Sequence, residues 1–405
     1  MPEICVVRVE GPLAPYVVGF RRYLEGRGYR PGAVVDQLWL MAHLSRWLAG
    51  RGTEPSALDA EVVERFRCAR RERYAHLGGA RALGPLLGYL RGLGVVPELP
   101  AVADTPVERL LASYRDYLAR ERGLQPGSVA YLEGVARLFL AERYEPIEVA
   151  LRQLSASEVT GFVSAQCRSG RSGPGAAKKL PGGLRSLLRF LHVAGWIPGP
   201  LAQAVPSVAG WRLSSLPRGL ASGQVGRLLE SCDRATAIGR RDRAILSLLA
   251  RLGLRSCEVA ALSLDDIDWR AGEFAVRGKG SMIERLPLAH DVGEALVAYL
   301  CDGRPSRSGV RAVFLRARAP HGPLSPMGVR SVVHRACDRA GIERVGAHRL
   351  RHTVATELLA AGTPLAQIAP ILRHANASTT AIYAKVDRDA LRTLARPWPL
   401  AEGLA

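Results

Sequence analysis

The chain carries two versions of one helical pattern, and that repeat constrains its fold more than any other feature. LLGYLRGLGVVPE (86–98) has its counterpart in LLRFLHVAGWIPG (187–199). Leu86, Leu87, Leu90, Gly94 and Pro97 each recur 101 residues later. RRYLEGRGYRPG (21–32) parallels RDYLARERGLQPG (115–127), and AEVVERF (60–66) parallels SEVTGFV (157–163), in the same order. Matches that keep their order point to a duplicated unit rather than to two unrelated bundles. Each copy reads as four or so amphipathic helices closed by Gly and Pro.

The repeat divides the chain. Residues 1–102 form an N-terminal helical domain, 103–205 its second version, and 206–219 an extended linker rich in Pro, Gly and Ser. Residues 220–405 have a different texture. The helical stretches GQVGRLLESCD (223–233) and RRDRAILSLLARLGL (240–254) lead into EFAVRGKGSMIERLPL (273–288). That segment reads as strand, turn and strand around Gly278 and Gly280, after which helices resume. The expected fold class is mainly α with a small antiparallel sheet.

At 48% hydrophobic residues the chain can build compact cores. Its formal charge is +19 and its pI about 10.3. A charge of that size, spread along the chain rather than gathered in a tail, points to a polyanion in a long groove. Nucleic acid is the first candidate and an acidic membrane the second. Almost all the basic charge is arginine; lysine occurs only at 178, 179, 279 and 385. A lysine retained in such a chain is a functional candidate, because it can give up a proton where arginine cannot. Seven cysteines stand at 5, 68, 167, 232, 257, 301 and 337, without metal-ligand or redox spacing. They suggest reduced thiols in a cytoplasmic protein. MPEICVVRVEGP has no signal-peptide layout, and no apolar run is long enough for a membrane span.

Four patches of the last region carry chemistry. In LGLRSCEVAALSLDDIDW (252–269), Arg255 follows a Gly-Leu break and precedes a helix, with Glu258 one turn on. Alone, this is a surface ion pair of little worth. GKG (278–280) sets Lys279 at a hairpin tip, where it can reach a neighbouring groove. GAHRLRHTVATELLAAG (346–362) puts His348 and Arg351 three apart on nearly one helix face, with Leu350 and Val354 turned to the core. Alone, this is equally a helix that merely faces DNA. HANASTTAIYAKV (374–386) places His374 and Tyr383 on either side of a turn, with Ser378 or Thr379 as a helix cap.

In this order the patches resemble the tyrosine recombinase (phage-integrase-like) family. Its pattern is Arg, Lys, His-x-x-Arg, His or Trp, then Tyr. GLRSCE, GKG, HRLRH followed by Thr, and the His-to-Tyr spacing before AKV carry the match across the catalytic region. The second helical copy (103–205) is also similar to the family's SAM-like core-binding domain, which implies two tandem SAM-like DNA-binding domains before a catalytic domain at 220–405. Two departures stand out. The position before His374, often Gly in the family, is Arg373 here. Ser281-Met282 replaces a second basic residue after GKG, a charge that Arg285 can supply. Arg285, Arg373, Lys178 and Lys179 are candidate DNA contacts.

The residue types fit phosphodiester cleavage. Tyr383 would be the nucleophile. Arg255 and Arg351 would hold the non-bridging oxygens and the charge of the transition state. Lys279 would protonate the leaving 5′-oxygen, His348 would accept or relay a proton, and His374 would donate a hydrogen bond to the phosphate. Glu258 would orient the basic residues. No acidic cluster suggests a metal, and no cofactor is expected. The resemblance implies a 3′-phosphotyrosyl intermediate without ATP, and a tetramer of this chain, alone or with related recombinases, on two double-stranded DNA sites joined at a four-way junction. It implies a mobile-element or integration role in the cytoplasm, at the nucleoid. A type IB topoisomerase-like enzyme and a catalytically idle DNA-binding relative are the alternatives.

Overall fold

The computed structural model describes residues 7–73, 82–97, 105–141, 146–169, 174–207, 219–278, 283–305, 309–373 and Tyr383. By contacts the chain divides into two compact units, one joining Met1–Val96 with Leu213–Ala405 and the other spanning Pro97–Arg212. The fold is mainly helical with one three-stranded antiparallel sheet. No described helix is long and apolar enough to cross a membrane.

Positions that match in sequence occupy matching places. Leu86, Leu87 and Leu90 are buried on the helix Gly84–Gly92, and Leu187, Leu188 and Leu191 on the helix Pro174–Val193. Gly94 and Gly195 follow these helices with φ of +71° and +75°. The left-handed turn that ends a helix favours glycine, since a Cβ would crowd the next carbonyl. Pro31 and Pro126 each open a helix at its first residue, where the missing N–H costs nothing. The stretch before Pro126 is one residue longer than that before Pro31. The chain holds this extra residue in a π-helical turn at Tyr117–Glu121, which leaves Leu118 buried as Leu24 is. Val62 and Val159 are likewise buried on the helices Ala60–Arg73 and Ala156–Arg168. Each copy closes its own apolar core.

Residues 220–350 build a third core. Its axis is the helix Ala237–Arg251, buried from Ala244 to Ala250 and capped by the Thr236 hydroxyl, which accepts from Gly239 N at 3.0 Å. The expected hairpin is present as β2 (Glu273–Arg277) and β3 (Ile283–Pro287), with Ala275 opposite Arg285. A two-residue strand, β1 (Ile267–Asp268), extends the sheet and was not legible, being too short for any alternation. The helix Ala347–Ala360 packs on the same core through Leu350.

Gly94→Ala and Gly195→Ala test the equivalence of the two copies. An added Cβ meets nothing within 4 Å at either site, so backbone strain is the whole cost. Each change should lower stability by the same amount, about 1–2 kcal/mol, measured by thermal or urea unfolding.

Candidate active site

Three backbone events set the site. The helix Ala237–Arg251 ends at Leu252, and Gly253 turns the chain with φ of +58°. A Cβ at Gly253 would press on the Leu372 side-chain tip at 2.9 Å, and the left-handed backbone there favours glycine in any case. Arg255 then caps the helix Ser256–Ala261. Its backbone N–H donates to Glu258 Oε2 at 2.8 Å and its guanidinium donates to Glu258 Oε1.

Helix 347–360 supplies the opposite wall. Leu350 and Val354 face the core, as expected. Arg351 is 1% exposed, and its Nη1 donates to the Gly253 carbonyl at 2.6 Å. Its Nε and Nη2 find no partner among the described residues. A buried guanidinium with two nitrogens left unpaired is a cation short of an acceptor. Burial, with the neighbouring charges of Arg255 and Arg373, pushes Arg351 down to about 10, which leaves it protonated at neutral pH. His348 is exposed on the same helix, whereas Arg351 is buried. Desolvation, then Arg351 and Arg255, hold His348 below the usual histidine range.

Tyr383 is 1% exposed and packs with Val354, Ala355, Ile368 and Leu372. Its hydroxyl meets His352 Nδ1 at 2.6 Å. His352 in turn lies edge-on to His348, ring centres 4.6 Å apart. Burial, then His348, Arg351 and Arg349, push His352 down to about 4, so it is neutral and its Nδ1 can accept from the tyrosine. Burial raises the Tyr383 hydroxyl and Arg351 pulls it back in part. Sequence reasoning missed His352. Its signal was the second histidine of HRLRH, one turn after His348 and next to Arg351.

Glu258 is buried among arginines. Desolvation works to raise its carboxyl, but the Arg255 backbone N–H, the Arg373 charge and the Arg255 guanidinium outweigh it and hold the group low. Arg373 departs from the expectation of a DNA contact. Its side chain is 4% exposed and turned inward, with Nη2 donating to Glu258 Oε2 at 3.2 Å. Arg285 does face solvent from β3, 3.6 Å from Glu273. Lys179 is exposed on its helix. Lys279, His374 and the side chain of Lys178 lie outside the described residues, as does the Ser378 or Thr379 cap. The structure therefore brings together Arg255, Glu258, His348, Arg351 and Tyr383, and adds His352 and Arg373. No cluster of His, Cys, Asp and Glu that could hold a metal occurs among the described residues.

Comparison with known proteins gives the same direction. The phage integrase family matches residues 218–389. "Putative integrase/recombinase y4rA" of Sinorhizobium fredii is 44% identical over 395 residues, which span 96% of this chain and 95% of that protein. The tyrosine recombinase XerC of Oceanobacillus iheyensis is 30% identical over 294 residues, spanning 71% of this chain and 94% of its own. Among solved structures, a lambda integrase dimer bound to a COC′ core site shares the fold, with a TM-score of 0.52, 17% identity, and coverage of 80% of this chain and 91% of that one. The chain belongs to the phage integrase family of tyrosine recombinases, which are site-specific DNA recombinases.

Proposed function

We propose that this recombinase cuts and rejoins DNA through a covalent 3′-phosphotyrosyl bond made by Tyr383. The observation that carries the reading is the meeting of the Tyr383 hydroxyl, 2.6 Å from His352, with a helix whose Arg351 keeps two donors unpaired. Tyr383 Oη attacks the phosphorus, and the bond from phosphorus to the 5′-oxygen breaks. The tyrosine proton passes to His352 Nδ1, with His348 beside it as the relay. The 5′-oxygen takes a proton from Lys279. Arg255 and Arg351 neutralise the non-bridging oxygens, and His374 adds a hydrogen bond. A 5′-hydroxyl of another strand then attacks the phosphotyrosine, which returns the proton to Tyr383. The bond energy stays in the linkage, so ATP has no part.

Tyr383 and Arg351 are each 1% exposed, so both must become accessible before they meet a phosphate. A phosphodiester beside Arg351 also brings negative charge, which raises His348 and His352 towards the range where each can hold a proton.

The two helical copies read as tandem SAM-like domains that grip the duplex, with Lys178 and Lys179 on phosphates, and Arg285 of β3 adds a contact from the catalytic region. A tetramer on two sites, joined at a four-way junction, suits strand exchange between duplexes. Lambda integrase, similar in fold, has been solved as a tetramer bound to a Holliday junction. The exchange serves integration or transposition of a mobile element.

Covalent capture tests the chemistry. The full chain is incubated with nicked duplexes of random sequence, and DNA that stays on the protein in detergent is recovered. The wild type should give adducts and Tyr383→Phe none, whereas Arg351→Ala should slow capture roughly hundredfold or more. Adducts on Tyr383→Phe would sink the reading. Exchange of strands between two captured duplexes, rather than religation of one, separates a recombinase from a topoisomerase.

The His352 pairing has a pH signature. Its pKa is about 4 in the folded chain against 6.5 unfolded. A depressed pKa gives stability that is present above 6.5 and is lost as pH falls towards 4. The wild type should therefore lose melting temperature over that window more steeply than His352→Gln. Parallel curves for the two proteins would contradict the neutral, buried histidine.

A further inference from the structure

We propose that Arg373 is a positioning residue that sets Arg255 and Arg351 for the phosphate, and that a strained backbone is kept at its position for this purpose. The inference rests on the reading of those two arginines as phosphate ligands.

Arg373 has φ of +54°, the one positive value at a non-glycine position among the described residues. In that region a Cβ crowds the neighbouring carbonyl, and glycine adopts it freely. This explains the family's frequent glycine there. A chain that keeps a side chain at such a point bears a conformational cost, and strain of this kind marks places where the side chain is needed.

What the side chain touches identifies the need. Arg373 Nη2 donates to Glu258 Oε2 at 3.2 Å and lies 3.4 Å from the Gly253 carbonyl. Nη1 donates to the Ile371 carbonyl at 3.2 Å. The Arg373 carbonyl accepts from Arg255 Nη2 at 2.9 Å. The Gly253 carbonyl also accepts from Arg351 Nη1. Arg373 thus holds the same carboxylate as Arg255 and the same carbonyl as Arg351. Its own backbone holds Arg255 a second time.

The third guanidinium pairs with Glu258 but stands beside two like charges. Arg255 and Arg373 both push the Arg351 pKa down, so the like charges repel. Arg373 Nε is also buried without a partner among the described residues. Beyond its pairing with Glu258, Arg373 fixes which way the other two arginines point, and a phosphate that enters would relieve the repulsion.

Two substitutions suited to left-handed backbone test this: Arg373→Gly and Arg373→Asn. Both remove the guanidinium without adding backbone strain; loss of one partner of the buried Glu258 carboxylate should lower the melting temperature, so capture is compared at a temperature where both variants and the wild type are folded. Capture on a duplex recovered from the random-sequence pool should slow by about tenfold to hundredfold, the scale of a misplaced reacting group. A second arm needs no cleavage. In the Tyr383→Phe background, binding is compared between a phosphate duplex and duplexes with a neutral methylphosphonate at each linkage in turn. Protein that keeps Arg373 should weaken at the linkage its arginines face. The Arg373 variants should lose that discrimination and keep their affinity for the neutral duplex. Capture and discrimination at wild-type levels would overturn the proposal. So would slower capture with discrimination intact, since the defect would then bypass the arginines. If the wild type forms no Tyr383 adduct, the nucleophile reading fails by itself, and the binding arm still decides the role of Arg373.

Discussion

The carboxylate of Glu258 lies in the protein interior against the N–H and guanidinium of Arg255 and the guanidinium of Arg373. A carboxylate buried without such partners would cost several kcal/mol, and removing one partner from a buried pair costs a similar amount. Glu258 therefore fixes where the arginines stand. The Gly253 carbonyl completes the frame by accepting from Arg351. One anion cannot neutralise Arg255, Arg351 and Arg373, so the pocket keeps an excess of positive charge and two unpaired Arg351 donors. In the proposed reaction a phosphodiester supplies the missing anion.

A tyrosine hydroxyl buried against a neutral histidine is a poor nucleophile, and its raised pKa says so. His352 Nδ1 lies 2.6 Å from that hydroxyl, in place to take its proton in the proposed reaction.

The sequence carried much of this in the order of a few residue types. Arg255, His348, Arg351 and Tyr383 are spread over more than a hundred positions, yet they meet at one place, as the family pattern implied. The repeat was legible because leucine and glycine spacing records helix faces and helix ends directly. Other features were not. The inward turn of Arg373 depends on the sign of one backbone angle, for which the only hint was the glycine usual at that position. His352 hid beside a better-known histidine, and nothing in HRLRH says which ring meets the tyrosine. The π turn at Tyr117–Glu121 shows as a one-residue length difference whose form a pattern cannot reveal.

The most direct test of the account is to locate the covalent link. Cleavage by trypsin after Arg373 and Lys385 releases residues 374–385, whose one tyrosine is Tyr383. Mass spectrometry of a captured, nuclease-trimmed adduct should find that peptide heavier by a nucleotide joined through its 3′-phosphate. A nucleotide on any other peptide, or joined through a 5′-phosphate, would contradict the account.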